Sequence, residues 1–206
     1  MDQLLQALQA TTVLLSNEPH CSVDTIFFHA RAWDDDDDLF SIAAHIYHSY
    51  THKSDSVTIN GGKGGPPGNT AEGENWPGYD AYLKQLEELH VDSVYATAPA
   101  LNTKAENEAF LALAIVHQWK SAIILSQPHQ ILRSFLGMIA SMRDHNYWMR
   151  IYAVAPKHTN WFKLVYGSPC AGLKPRFRHI EEELRRIPIY QANGDLASYD
   201  ELFTYL

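Results

Sequence analysis

Five short runs of β-branched and apolar residues recur about every 30 residues, and the stretches between them carry helical periodicity. The runs are Thr25-Ile26-Phe27-Phe28, Val57-Thr58-Ile59, Val94-Tyr95-Ala96, Ala122-Ile123-Ile124-Leu125 and Ile151-Tyr152-Ala153-Val154. Between them lie the amphipathic sets Leu39, Phe40, Ala43, Ile46, Tyr47 and Tyr50; Tyr79, Tyr82, Leu83 and Leu86; Phe110, Leu113 and Ala114; and Ile131, Leu132, Phe135, Leu136 and Ile139. Strands that are apolar throughout must be covered on both faces, and helix-length crossovers make them parallel with a right-handed connection. The expected class is α/β: a Rossmann-like, doubly wound, mainly parallel five-stranded sheet with flanking helices and a short helical C-terminal extension. Leu4, Leu5, Leu8 and Leu15 predict a helix ahead of the sheet, and Phe177 to Ile187 and Tyr199 to Leu206 predict two helical pieces after it. Gly167-Ser168-Pro169-Cys170-Ala171-Gly172 reads as a linker. The expected organisation is an N-terminal helix over 1–21, the Rossmann-like domain over 22–166 and the extension over 167–206.

Composition narrows the partners. With 46% hydrophobic residues in 206, the chain can bury one sizeable core. Sixteen Lys and Arg against 24 Asp and Glu give a net charge of −8, which repels polyanions and argues against nucleic acid and anionic membrane surfaces. No apolar run approaches the roughly 18 to 20 residues of a membrane span, and Met1-Asp2-Gln3 lacks the basic start of a secretory signal, so a cytoplasmic location is expected. Cys21 and Cys170 have neither zinc-ligand nor C-x-x-C spacing and read as structural thiols.

Ligands of open parallel sheets bind outside the carboxyl ends of the strands. In this chain those positions are polar: His29, Arg31 and Trp33 after the first run; Thr97 to Asn107 after the third; Ser126, Gln127 and His129 after the fourth. The second run is followed by Gly61-Gly62-Lys63-Gly64-Gly65-Pro66-Pro67-Gly68. Glycines expose main-chain N–H groups and Lys63 adds a cation, a combination suited to a phosphate or carboxylate. The turn lacks both the P-loop spacing and a G-x-G-x-x-G, so it reads either as a ligand loop or as a flexible crossover. Thr103 and Glu106 have the spacing of a capping box at a helix start. His129 reads as a general acid/base or as a first-turn polar residue, and His29 as a core histidine or a site residue. His45, His48 and His52 share a helix face, but no further ligand accompanies them and no metal is expected. Asp34 to Asp38 read as helix-start carboxylates or as an acidic rim for a cationic ligand. No G-x-S-x-G elbow is present.

Asp24 opening the first strand, Gly61-Gly62 ending the second, Asn102-Thr103 with Glu106-Asn107 at a helix start, and Ser126-Gln127-Pro128-His129 with Arg133 after the fourth strand together resemble the YdcF/SanA-like family of unknown-function domains. The resemblance covers roughly residues 22 to 156. The YdcF branch is the closer one. The spacings from Thr103 to Glu106 and from His129 to Arg133 are each one residue longer than the family's pattern. Trp76-Pro77-Gly78 replaces its usual Glu-Ala, with Glu72 or Glu74 as substitutes nearby. The resemblance implies a cytosolic Rossmann-like domain that binds S-adenosylmethionine, with no reaction established. The resemblance and the strand-end positions together give the candidate binding residues Asp24, His29, Gly61, Gly62, Lys63, Gly64, Asn102, Thr103, Asn107, Ser126 and Arg133. The alternative is a hydrolase or other enzyme acting on an anionic small molecule, with Glu106 and His129 as acid/base groups.

Overall fold

The computed structural model describes residues 3–17, 19, 21–35, 38–49, 53–67, 75–167 and 172–206. Asp36, Asp37, His52, Gly68, Glu72, Glu74 and the segment 168–171, which includes Cys170, lie outside the described residues. Each of the five apolar runs forms a strand: β1 (Thr25–Phe28), β2 (Val57–Ile59), β3 (Val94–Ala96), β4 (Ser121–Leu125) and β5 (Arg150–Val154). They pair in the order β3-β2-β1-β4-β5, every pair parallel. Phe27 sits at the centre of the sheet, opposite Thr58 on one side and Ile124 on the other.

Successive side chains of a strand point to opposite faces, and the two cores follow that alternation. Ile26, Phe28, Val57, Ile59, Ile123, Leu125 and Tyr152 meet α2 (Leu39–His48) and α3 (Tyr79–Glu88) on one face. Phe27, Ala122, Ile124, Ile151 and Ala153 meet α1 (Gln3–Ser16), α4 (Thr103–His117) and α5 (Ile131–Asp144) on the other. A Rossmann-like, doubly wound sheet is therefore present, with a continuous apolar layer on each side. Helix α5 is buried along most of its length, including Gly137, where an added Cβ would come within 2.6 Å of the Asn107 side-chain amide. That missing side chain lets α4 and α5 approach closely.

Three features differ from the pattern read in the sequence. Helix α1 forms, but its buried residues are Ala7, Ala10 and Leu14, while Leu4 and Leu8 are exposed. The small alanines permit close packing on α5 and on α7 (Tyr199–Tyr205), whose Tyr199 and Leu202 join the same core. The expected linker is instead flanked by an antiparallel hairpin, β6 (Leu164–Tyr166) with β7 (Leu173–Pro175). Helix α6 (Arg178–Ala192) continues through Pro188, beyond the expected end at Ile187. Proline in a helix interior removes one backbone donor, and here tertiary packing of Ile187 outweighs that loss. Among the described residues no helix is long and apolar enough to cross a membrane.

Candidate functional site

The connection from β1 runs outward through β2 to β3, then returns to β4 beside β1, so the direction of winding reverses between β1 and β4. Above that switch point, at the carboxyl ends, a cavity of about 410 Å³ opens. Its wall comes from the segments after β1 (Ala30, Arg31, Ala32), β2 (Asn60) and β4 (His129, Gln130), from the starts of α4 and α5, and from α6.

Glu106 stands at the floor. Its carboxylate accepts the Ala30 N–H at 3.0 Å, the Asn60 side-chain amide at 3.3 Å and, at the other oxygen, lies 3.2 Å from His29 Nδ1. The capping box expected of Thr103 and Glu106 is not formed: Asn102 caps α4 by accepting the Ala105 N–H at 3.0 Å. With the cap made one residue earlier, Glu106 is one turn into the helix and points to the sheet rather than back to the helix start. Asn60 braces this floor through Ala100 O at 2.8 Å and the Gly62 N–H at 2.9 Å.

Behind Glu106 lies a fully buried ion network. Asp35 accepts Arg176 Nε at 2.9 Å on one oxygen and both Nε (3.2 Å) and Nη2 of Arg31 on the other, while its backbone oxygen receives the Gln127 side-chain amide at 2.8 Å. Burial alone would raise the Asp35 pKa, but Arg31 and Arg176 outweigh it and hold the carboxyl below its usual range. Arg31 Nη2 is also 3.2 Å from His129 Nε2. Burial pushes the His129 pKa down to about 3, so its ring is neutral at pH 7. A permanently charged guanidinium can only donate, which makes His129 Nε2 the acceptor and puts the ring proton on Nδ1. Only 1% of the His129 side chain is exposed, and the ring packs 5.7 Å from that of His179.

The opposite wall is α6. Glu183 takes a two-pronged contact from Arg133, through Nε and through Nη2 at 3.2 Å, and Arg186 Nη1 reaches it at 3.3 Å. Burial works against the Glu183 carboxylate, yet Arg133 and Arg186 keep its pKa lowered. Tyr190, one turn further on, completes this face.

The residues named from the sequence therefore divide. Asn102, Thr103, Glu106, His129 and Arg133 line the cavity, and His29 supports Glu106 from below. The others do not reach it. Asp24 is at the amino edge of the sheet, where its carboxylate accepts the N–H groups of Lys120 (2.6 Å) and Ser121 (2.8 Å) and ties β1 to β4. Asn107 faces α5, bonding Ser134 O at 3.4 Å, and Ser126 is buried outside the wall. Gly61, Gly62, Lys63 and Gly64 do not line the cavity. A Cβ on Gly61 would strike Thr97 O, and one on Gly64, whose φ is +65°, would strike the backbone of Trp76 and Gly78. The turn is pinned by Gly65 N–H to Trp76 O (3.0 Å), Tyr79 N–H to Gly62 O (2.9 Å) and Trp33 Nε1 to Gly65 O (2.7 Å). Its glycines serve close backbone packing. His48 lies 3.0 Å from Leu89 O, and among the described residues no group of three His, Cys, Asp or Glu could hold a metal ion. Cys21 is exposed, its Sγ 3.8 Å from the Tyr152 hydroxyl.

Asn60, Arg176, His179, Glu183, Arg186 and Tyr190 were missed as site residues, and Asp35, read within Asp34 to Asp38 as a helix-start or rim carboxylate, is instead buried between Arg31 and Arg176. His179, Glu183, Arg186 and Tyr190 fall at i, i+4, i+7 and i+11, a polar stripe on one helix face that the spacing would have revealed. Neither the protein-family models nor the curated proteins give a match to this chain.

Proposed function

We propose that this chain is a YdcF/SanA-like small-molecule-binding protein whose ligand carries an anionic group and lies over the β1/β4 switch point. The observation that carries this reading is the cavity itself: in a chain of net charge −8, Arg31, Arg133 and Arg186 and the starts of α4 and α5 converge on one strand-end opening. Helix starts and guanidinium groups both favour anions. The volume falls in the range of small-ligand sites. S-adenosylmethionine is the first specific candidate, its carboxylate suited to the arginine side and its sulfonium to Glu106. A cytosolic location and a ligand other than nucleic acid belong to the same proposal, in keeping with the chain's acidity.

A second reading, an enzyme acting on an anionic substrate, draws on Glu106, whose carboxylate lines the cavity. In it Glu106 is the acid/base group that meets the substrate, while His129, nearly closed off from the cavity, holds Arg31 in place. Thermal-shift measurements with S-adenosylmethionine, S-adenosylhomocysteine, nucleotides and sugar phosphates test both, since a ligand that binds only the native state raises its melting temperature. A stabilising shift with an adenosyl compound supports the first. Turnover of a phosphoester that Glu106→Gln abolishes, with the fold retained, supports the second. A flat response to the whole panel overturns the ligand site.

A further inference from the structure

We infer that Glu183 sets the charge class of the ligand, so that the cavity accepts a small molecule presenting one negative charge to the arginines and rejects a dianionic phosphate monoester. The inference rests on the reading of the cavity as an anion site and specifies which anion fits. The cavity and the network directly behind it contain Arg31, Arg133, Arg176 and Arg186 against Asp35, Glu106 and Glu183, a formal excess of one positive charge. Asp35 is fully engaged by Arg31 and Arg176, and the guanidinium groups that line the α6 side of the cavity are those of Arg133 and Arg186. Glu183 already holds both of them. Its two oxygens take the side-on fork of Arg133, the arrangement in which a guanidinium would grip a ligand's phosphate.

A monoanion entering this wall balances the single excess charge. A dianion leaves a buried negative charge beside Glu183 and Glu106, and its larger desolvation cost goes uncompensated. The α6 stripe thus combines attraction with a built-in repulsion, the arrangement by which sites discriminate between otherwise similar ligands.

Phenyl sulfate and phenyl phosphate separate the two cases. They share a tetrahedral head and a ring able to meet Trp76, Leu101 and Tyr190 in the wall, but at pH 8 the first is a monoanion and the second a dianion. Calorimetric titration of the full chain should show phenyl sulfate binding at least as tightly as phenyl phosphate. In Glu183→Gln, the phosphate-to-sulfate affinity ratio should rise about tenfold as one carboxylate charge is removed and the Arg133 fork released. An unchanged ratio in a folded variant overturns the inference while leaving the anion site standing. If neither ester binds the unaltered chain, the anion reading falls and this inference with it. Should Glu183→Gln fail to fold, Arg186→Gln gives the opposite arm, because it removes a positive charge and keeps the Arg133–Glu183 pair. Phenyl phosphate should then lose more affinity than phenyl sulfate, and equal losses overturn the inference.

Discussion

The turn at Gly61 to Gly65 and helix α6 both lie at the carboxyl edge of the sheet, and they occupy it by different means. In the turn, the contacts are made by backbone: carbonyl and N–H groups of residues 62 to 65 bond to the Trp33 indole and to the backbone of Trp76 and Tyr79, and the absent side chains make room for those contacts. In α6, side chains meet side chains, with Glu183 joined to Arg133 and Arg186, and Arg176 just before the helix joined to Asp35. The turn shapes the edge, whereas the helix gives it charge and chemistry. A glycine-rich segment beside a strand end is thus evidence of close packing first, and of a ligand only if its N–H groups remain open to a cavity.

The largest effect that sharpens this contrast is expected at the buried network. Asp35→Ala leaves Arg31 and Arg176 buried without their carboxylate and should lower unfolding stability by about 3–5 kcal/mol in denaturant titration. A loss below about 1 kcal/mol would show that the C-terminal segment is not locked to the site through Asp35. Next comes pH. The His129 pKa is depressed from 6.5 to about 3 by folding, so the unfolded chain binds the proton first. Its contribution is complete above pH 6.5 and declines as pH falls toward 3, by up to about 1.4 kcal/mol per pH unit. Asp35 and Glu183, also depressed, add their losses only below their ordinary values of 3.8 and 4.5. Burial also lowers the pKa of the neighbouring His179 from 6.5, so His129→Gln should reduce rather than abolish the slope of the stability profile between pH 6.5 and 4.5; an unaltered slope would place the main titrating group elsewhere.

Smaller effects probe the turn. Gly64→Ala should cost about 2 kcal/mol, from a positive φ and a backbone collision, while ligand affinity of the folded protein stays constant. Lys63→Ala, at an exposed position outside the cavity wall, should change stability by less than about 0.5 kcal/mol and leave binding unaltered. If removing Lys63 abolishes binding, the contrast breaks and the turn is the ligand loop after all.

The sheet was legible because its central strands are apolar on both faces, so runs such as Thr25 to Phe28 and Ala122 to Leu125 read as buried, while β3 at the edge is only partly covered. The strand-end rule then brought Glu106, His129, Arg133, Asn102 and Thr103 to the right edge. Asp24 shows where that rule fails: a carboxylate before a strand lies at the opposite edge and bonds the neighbouring strand's N–H groups. Asp35 was not singled out because five consecutive aspartates look alike in sequence, and only its long-range partners Arg176, Gln127 and His129 distinguish it. Arg176 was hidden for a related reason, and for Glu183 the α6 spacing marks a polar face but not what it meets. Nothing local to β7 and α6 indicates that they fold back onto segments some 140 and 50 positions earlier.

The packing of α1 on α7 bears on how the chain is made. The face of α1 formed by Ala7, Ala10 and Leu14 is made some 190 residues before Leu196, Ala197 and Leu202, which complete its core. The intervening sheet can assemble from contacts between neighbouring segments, but this one cannot close until residues 196–202 have emerged, and such long-range contacts form slowly. During that interval the nascent protein carries an uncovered apolar seam, and holding it soluble is the kind of task that falls to a chaperone.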